Sequence, residues 1–300
     1  MMLPPASPSL FTCSSNNLYG ISALICSYCS VTESLPIAGR IQHGWEPGPG
    51  IVIEAMNESL FDRYYVWSKH AAERLGLARI HSKEKDGLLT DISEIKDPER
   101  VVMIPVGAPY LYLPEAKDVG PVAPDWLLAI PGHGTVSSRS AHPWHEYLTA
   151  VRRFADDRGF ARVSVQLYAE DDKEVNRNTV KEFGFIPITC GPVGNPGFLG
   201  HVRDFIRQHA VTTSDRICTT GMYSLYENRP FYIVGAGTVV NDPPDAYDDL
   251  VCNMDWIHKR FPGIWAGGLE GRNEALEELG IKRSPEELKR IFWYWIWEGA

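Results

Sequence analysis

Apolar residues recur along the chain in two alternating patterns, short continuous runs and stretches with helical spacing. Short apolar and β-branched runs are typical of strands, whereas apolar residues three and four positions apart are typical of helices. The first part of the chain predicts a helix at 17–31, a strand ending at Gln42, a strand at 62–68, a helix at 69–77 and a strand at 101–113. This alternation is the pattern of a parallel sheet covered by helices.

A segment without periodicity divides the chain. Residues 114–125 carry three prolines and predict a linker. A new α/β unit begins at 126–135, followed by a helix at 143–157, a strand at 162–171, a helix at 173–184, a strand at 185–191, a helix at 198–210 and a strand–turn–helix–strand unit at 215–235. Right-handed crossovers would make each part an open, doubly wound sheet, with a cleft between the two.

The last predicted helix ends in an aromatic segment. Ser284, Pro285 and Glu287 form a capping box with proline at the first helical position. The helix then runs into the sequence IFWYWIW, which has no polar face. We expect these residues to pack against the other domain. The alternative is contact with a membrane interface, where Trp and Tyr accumulate.

Composition narrows the class of protein. A length of 300 residues suggests about two domains, and a hydrophobic share of 44% is that of an ordinary globular protein. The net charge of −9 argues against general nucleic-acid binding, which needs a basic surface. Residues 1–39 lack Lys and Arg, and no apolar stretch reaches the roughly 20 residues that cross a bilayer. We therefore expect a cytoplasmic protein.

The six cysteines do not suggest a disulfide framework. Cys26 and Cys29 make a C-x-x-C pair, but no second pair completes the four ligands that a structural zinc site needs. The sequence also lacks a D-x-D motif of the kind that holds a metal–nucleotide diphosphate. We expect buried, reduced cysteines and no obligatory metal.

A histidine lies where the first predicted strand gives way to a loop. In IQHGWEPGPG, His43 precedes a run of glycines and prolines that neither helix nor strand can hold. Ligands of α/β proteins collect at such strand ends, and the ordinary pKa of histidine, near 6.5, suits a general base. Glu46 could orient His43 or act as the base itself. The alternative is a loop histidine bonded to its neighbours.

The stretch CTTGMYSLYENRPFYIVG predicts an anion-binding turn. Small hydroxyl residues and glycine between a strand and a helix direct backbone N–H groups and a helix N-terminus at one spot, which suits phosphate. The alternative is a simple strand–helix turn with no ligand. The candidate nucleotide-binding residues, with Ser224 for a phosphate and Glu227 for a ribose, are Thr219, Thr220, Gly221, Ser224 and Glu227.

A second Gly-His-Gly follows a buried strand in AIPGHGT. Its nucleotide-binding candidates are His133, Gly134 and Thr135. If both units face one cleft, one histidine could act as base and the other could bind phosphate. His142 is a competing candidate, although its position before Pro143 is explained by the start of a helix.

Common catalytic motifs are absent from the sequence. It contains no G-x-x-x-x-G-K-[ST] phosphate loop, no G-x-S-x-G nucleophile elbow and no G-x-G-x-x-G after a strand. These absences argue against the commonest kinases, hydrolases and dehydrogenases.

The arrangement resembles two-domain, GT-B-type transferases of bacterial surface-polymer synthesis, closest to the CDP-glycerol glycerophosphotransferase and capsule or sialyltransferase-like groups. The resembling stretches span 37–240 as a pattern and read QHGW, VWSKHAAERLG, VGAPYLYL, PGHGT and SDRICTTGMYSLYENRPFYIVG. The resemblance implies that His43 is the general base on the acceptor hydroxyl. It also implies that the donor phosphates are held by His133, Thr219, Thr220, Gly221 and Ser224.

Three departures from that family are visible. Few residues precede QHGW, so the first domain is abbreviated. The polymerase group continues its H-G with a small residue and a basic run, whereas Trp45 and Glu46 follow here. Sialyltransferase-like members hold CMP with an H-P pair, so His142 and Pro143 compete with His133 for that role.

The resemblance implies an α/β, GT-B-like fold with two Rossmann-like, doubly wound domains, 1–120 on the acceptor side and 121–300 on the nucleotide side with the C-terminal helix. The expected activity is that of an inverting glycosyltransferase, or polyol-phosphate transferase, of capsule polysaccharide and cell-envelope synthesis, without cofactor. Its expected partners are a CMP- or CDP-linked donor and a glycan or lipid-linked glycan acceptor, with a peripheral contact at the inner membrane face. The alternatives are a nucleotide-sugar epimerase of the same fold and a non-catalytic glycan-binding subunit.

Overall fold

The chain forms two compact units in the computed structural model. The first consists of Met1–Pro114 together with Glu278–Ala300, and the second of Glu115–Glu277. The predicted division at 120/121 differs in its C-terminal part, because the structure groups the last helix with the first unit. The residues that the structure describes are 14–32, 35–45, 51–54, 63–76, 80–83, 89–91, 102–115, 122–132, 143–169, 171–235 and 259–297.

Unit 1 contains two small sheets and three α-helices among its described residues. The elements in chain order are α1 (Ile21–Tyr28), β1 (Arg40–Ile41), β2 (Ile51–Glu54), β3 (Arg63–Val66), α2 (Lys69–Gly76), β4 (Ile80–Lys83), β5 (Leu89–Asp91), β6 (Val102–Pro105) and α9 (Pro285–Trp297). The strands β1, β3 and β6 form a parallel sheet in the order β1-β3-β6, while β2 pairs parallel and β5 antiparallel with β4.

The strand β3 is the centre of the parallel sheet of unit 1. Its residues Tyr64, Tyr65 and Val66 are fully buried, as expected for a central strand covered on both faces. Aromatic and β-branched side chains suit such a strand because they pack well on a pleated surface. The predicted strands ending at Gln42 and at 62–68 and the helix at 69–77 are confirmed by β1, β3 and α2.

The C-terminal helix begins and packs as the sequence predicts. The Ser284 backbone N–H donates to Glu287 Oε2 over 2.9 Å, and the Glu287 N–H donates to Ser284 Oγ over 3.2 Å, which completes the capping box. Phe292 makes an edge-on contact with the Tyr65 ring, and the Trp293 indole donates to the Pro36 carbonyl. The expectation that the aromatic segment packs against the first domain is confirmed for these two residues.

Unit 2 contains a five-stranded sheet in which every pairing is parallel. Its elements in chain order are β7 (Ala123–Ile130), α3 (Trp144–Arg158), β8 (Arg162–Leu167), α4 (Glu174–Glu182), β9 (Ile186–Thr189), α5 (Phe198–Gln208), β10 (His209–Ser214), α6 (Thr219–Tyr226), β11 (Phe231–Ile233), α7 (Pro262–Ala266) and α8 (Arg272–Leu279), the last of which reaches into unit 1 at Glu278. The predicted α/β class with parallel, Rossmann-like sheets is confirmed.

The strand order of unit 2 locates its binding edge. The order is β11-β10-β7-β8-β9, so the chain first builds outward from β7 through β8 to β9 and then returns to the other side of β7 as β10. The order reverses between β7 and β10, and this reversal is a topological switch point. Ligands of open α/β sheets bind outside the carboxyl ends of the strands at that point.

One strand of unit 2 lies outside the predicted position. The sequence predicted a helix through 198–210 and a strand at the start of 215–235, but β10 occupies His209–Ser214. Thr212, Thr213 and Ser214 are fully buried in this inner strand. Their small polar side chains hide the strand from a search for apolar runs, and Thr213 Oγ1 lies 3.5 Å from the Leu128 carbonyl oxygen on β7.

Other expectations concern the membrane and the cysteines. None of the helices among the described residues has the length and apolar character that a bilayer span requires. The prediction of buried cysteines outside disulfide bonds is confirmed for Cys26, Cys29 and Cys190.

A buried histidine joins α5 to the sheet of unit 2. His209 is 1% exposed, its Nδ1 lies 2.6 Å from the Phe205 carbonyl oxygen, and its Nε2 lies 2.8 Å from Ser164 Oγ. A carbonyl only accepts, so Nδ1 carries the proton and Nε2 accepts from the serine hydroxyl. This arrangement uses the neutral imidazole, and burial lowers the pKa of His209.

The pH dependence of stability follows from this lowered pKa. Below pH 6.5 the unfolded chain binds a proton at His209 that the folded chain does not, so the free energy of unfolding falls as the pH drops. We expect a His209→Asn variant to lose less stability than the wild type between pH 7.5 and pH 5. Urea denaturation at several pH values measures both slopes, and equal slopes would contradict the assignment.

Candidate functional site

The loop after β1 is held by hydrogen bonds on both sides of His43. Gln42 Oε1 accepts from the Trp67 backbone N–H over 2.9 Å, and the Gln42 carbonyl accepts from the Trp67 indole over 2.8 Å. Gln42 Nε2 donates to the Gly44 carbonyl over 2.9 Å. These bonds join the loop to the carboxyl end of the neighbouring strand β3.

Trp45 anchors the far side of the same loop. Its indole N–H donates to Glu278 Oε2 over 2.9 Å, and both side chains are buried. Glu278 lies on α8, in the segment where the chain returns to unit 1. The residues between the anchors Gln42 and Trp45 are therefore His43 and Gly44, at the carboxyl edge of the parallel sheet.

The imidazole of His43 is neutral and has an unpartnered nitrogen among the described residues. Its Nδ1 is buried and has no hydrogen-bond partner among the described residues, and its ring centroid lies 5.9 Å from that of Tyr19. Burial, with a smaller contribution from the positive charge of Arg40, lowers the pKa of His43 to about 4. His43 is therefore neutral at pH 7, which leaves a lone pair available for a proton.

Several predicted site residues lie outside the described part of the chain. Glu46, the proposed alternative base or orienting group, is one of them. The others are His133, Gly134, Thr135 and the competing candidate His142. Their roles stay predictions.

The switch point of unit 2 brings together three residues that the sequence did not single out. Gly132 follows β7, and Asp215 and Arg216 follow β10. The Gly132 backbone N–H donates to Asp215 Oδ1 over 2.7 Å, and Arg216 Nε lies 3.7 Å from the same oxygen. The buried Asp215 carboxylate thus ties the two strand ends together and holds the guanidinium beside them.

The guanidinium of Arg216 lies directly against Gly132. A Cβ atom at position 132 would overlap Arg216 Nη2, so glycine permits the close approach. Arg216 Nε and Nη2 are buried and have no hydrogen-bond partner among the described residues. A planar guanidinium with free donors is suited to bidentate binding of phosphate.

The helix α6 begins three residues after Arg216. Thr219 and Thr220 form its first turn and are partly exposed, and Cys218 is the N-cap, with Sγ accepting from the Gly221 N–H over 3.4 Å. The predicted Thr-Thr-Gly turn is therefore the first turn of the helix itself. This first turn, which carries the positive end of the helix dipole, and Arg216 both follow the carboxyl end of β10.

Gly221 serves the packing of α6. A Cβ atom there would lie 2.7 Å from the nearest atom of the Phe231 ring on β11, which is closer than such atoms approach. Its backbone N–H is already bound to the N-cap. Gly221 therefore permits the close packing of α6 on β11. Thr219 and Thr220, at the start of α6, remain the residues of this turn that could contact a ligand at the switch point.

Ser224 and Glu227 have partners other than the phosphate and ribose contacts that the sequence suggested. The fully buried Ser224 hydroxyl lies 2.9 Å from the Thr220 carbonyl oxygen and 3.0 Å from Thr212 Oγ1. Glu227 caps the opposite end of α6, where its Oε2 lies 2.7 Å from Arg207 Nε. An eight-residue helix is about 12 Å long, so the structure does not bring Glu227 to the switch point.

Some of the residues that the sequence analysis did not identify carry a signal in the sequence, and others do not. Asp215 and Arg216 form a charged pair that only Ile217 and Cys218 separate from the Thr-Thr-Gly turn, and a charged pair at a strand end is a signal that could have been used. Glu278 lies three residues after Ala275 on the buried face of α8, and an acidic residue at such a position indicates a buried partner. Gly132 carries no signal until the strand order is known.

Among the described residues, no group of three or more His, Cys, Asp or Glu side chains is arranged to hold a metal ion. No protein-family model matches the sequence. No curated protein matches it either.

Several solved structures are similar to the chain at low identity, among them the following three. The UDP co-structure of MnaA from S. aureus is 12% identical, with 92% of this chain and 81% of that chain covered and a TM-score of 0.39. A putative UDP-N-acetylglucosamine 2-epimerase from Listeria monocytogenes is 11% identical, covering 78% and 60%, with a TM-score of 0.40. A variant of S. aureus TarM in complex with Fondaparinux, alpha-GlcNAc-glycerol and UDP is 10% identical, covering 76% and 42%, with a TM-score of 0.36.

Proposed function

We propose that the protein is a glycosyltransferase that uses a nucleotide-activated sugar, with unit 2 binding the donor phosphate and His43 acting as general base. The observation that carries the proposal is the guanidinium of Arg216 at the β7/β10 switch point, with two buried donor atoms that have no hydrogen-bond partner among the described residues. The proposed donor is CMP- or CDP-linked, as the sequence resemblance implies.

The chemistry of the switch point favours a phosphate ligand. Arg216 supplies positive charge and N–H donors, and the first turn of α6 adds the positive end of a helix dipole. When a glycosyl bond to phosphate breaks, the nucleotide leaves with the electron pair and gains negative charge. Donors aimed at developing charge are often the largest contribution to catalysis.

The protonation state of His43 supports its proposed role as general base. A general base must be unprotonated before the reaction, and the lowered pKa keeps His43 neutral at physiological pH, while making it a weaker base than an imidazole with a pKa near 7. The acceptor hydroxyl oxygen forms the new bond to the anomeric carbon of the sugar, and its proton moves to the imidazole. This reaction needs no metal in the proposed mechanism.

Thermal unfolding with a panel of nucleotides tests the donor site. A ligand that binds the folded protein raises its stability by RT ln(1 + [L]/Kd), about 2.7 kcal/mol at a concentration of 100 Kd. We expect CMP or CDP, but not UDP, GDP or ADP, to raise the Tm. In an Arg216→Ala variant we expect affinity to fall about 10- to 100-fold, the worth of a charge-assisted hydrogen bond.

The matched control is Arg153→Ala, which removes an exposed arginine from α3 of the same unit. This variant should bind the nucleotide as the wild type does. Selective binding of UDP would show that the donor is UDP-linked and not CMP- or CDP-linked. Product analysis would then distinguish sugar transfer from epimerisation. The absence of a shift with every nucleotide would overturn the proposal in favour of a glycan-binding subunit.

A further inference from the structure

The end of α8 covers the carboxyl edge of the parallel sheet in unit 1. The Leu279 carbonyl accepts from the Ala108 N–H over 2.8 Å, just beyond β6. Gly280 lies against the Trp67 carbonyl, just beyond β3. Glu278 accepts the indole hydrogen bond of Trp45, just beyond β1. Three successive residues thus contact the segments that follow all three strands.

We propose that Glu278 is a positioning residue for His43 and acts through its hydrogen bond to Trp45. The inference rests on the proposed function of His43 as the general base. Glu278 itself does not touch the reacting atoms. Its carboxylate sets the position of Trp45, and Trp45 sets the end of the loop that carries the imidazole.

The connection between Trp45 and His43 is short. Only Gly44 separates them, and its carbonyl is already bound to the Gln42 side chain. On the other side of Trp45 the sequence continues with Glu46 and a run of proline and glycine at 47–50. A shift of the indole is therefore transmitted to the backbone of His43.

The burial of Glu278 supports a role in orienting the Trp45 side chain. The side chain is 1% exposed and Trp45 is 9% exposed, so the bond lies in a region of low polarity. An apolar side chain at this position of α8 would fill the space without removing a carboxylate from water. The carboxylate contributes what an apolar residue cannot, a charge-assisted hydrogen bond with a defined direction.

The proton titration of His43 measures its position without any substrate. We would follow the ¹⁵N-labelled imidazole signals by NMR and assign His43 from their loss in His43→Asn. In the wild type we expect a midpoint of about 4. In Glu278→Leu we expect the midpoint to rise toward 6.5, because the released loop exposes the imidazole to water. In Glu278→Gln we expect it to remain near the wild-type value, because the amide oxygen accepts the same bond.

The sign of the change separates positioning from a simple charge effect. Loss of a nearby carboxylate by itself disfavours the protonated imidazole and lowers the midpoint, whereas release of the loop raises it. The matched control is Glu277→Leu, which removes the neighbouring exposed carboxylate and should leave the titration unchanged. If Glu278→Leu does not fold, Trp45→Phe removes the same bond and should raise the midpoint as well.

An unchanged or lowered midpoint in folded Glu278→Leu or Trp45→Phe would overturn the positioning role. That outcome leaves the proposed function intact if His43→Asn still slows turnover about 10²- to 10⁴-fold. A raised midpoint combined with normal turnover in His43→Asn would instead overturn the role of His43 as base. The two failures are therefore distinguishable.

Discussion

A His43→Asn variant is expected to release nucleotide from the donor about 10²- to 10⁴-fold more slowly than the wild type, the usual contribution of general base catalysis. With water as the acceptor, the rate of nucleotide release can be measured before the natural acceptor is known. Asparagine retains polarity and part of the size of the imidazole but cannot take up the proton. The Kd for the nucleotide should change little, because Arg216 and α6 lie in unit 2.

The matched control is His70→Asn on α2, a partly exposed histidine of the same unit that should retain wild-type turnover. The pH profile gives a second test. Because the pKa of His43 is lowered to about 4, kcat/KM of the wild type should decline on the acid side near pH 4 and not near pH 6.5. Turnover by His43→Asn at the wild-type rate would show that His43 is not the general base.

Gly280→Ala is expected to destabilise unit 1 by about 2–5 kcal/mol. Gly280 has φ of +76°, a left-handed conformation that costs other residues roughly 1–2 kcal/mol. A Cβ atom would also overlap the Trp67 carbonyl oxygen, and relief of such a clash in a packed region costs roughly another 1–3 kcal/mol. Displacement of the backbone at 280 should also disturb the neighbouring Trp45–Glu278 bond.

Gly159→Ala is the matched control for that variant. Gly159 follows α3 with φ of +74°, nearly the same conformation, but nothing lies within 4 Å of an added Cβ atom. Only the conformational cost, roughly 1–2 kcal/mol, is expected there. Urea denaturation followed by tryptophan fluorescence measures both variants. Equal destabilisation by the two would show that the contact with Trp67 carries no cost.

The elements of unit 2 show which parts of a fold local pattern can predict. The helices α3, α4 and α5 and the strands β8 and β9 were all predicted, since each has an amphipathic or apolar pattern of its own. The strand β10 was misplaced because its buried face uses Thr212, Thr213 and Ser214. Its place beside β7, rather than its own hydrophobicity, makes it an inner strand.

Local sequence pattern likewise predicted only part of the candidate site. The position of His43 at a strand end was predicted because a histidine before a glycine–proline run is a local signal of such an end. Ser224 and Glu227 were chosen by spacing alone, and spacing cannot show that one hydroxyl faces Thr212 and that one carboxylate reaches Arg207. Both side chains have partners that lie on other elements of the fold.

The sequence by itself determined the alternation of strands and helices, the capping box at Ser284 and the loop that carries His43, because these depend on residues a few positions apart. Only the tertiary structure decided the binding edge and its anchors. Gly132 and Asp215 are 83 residues apart, and Trp45 and Glu278 are 233 apart. Such pairs meet because strand order and helix packing place their backbones together, and no local pattern of side chains encodes that order.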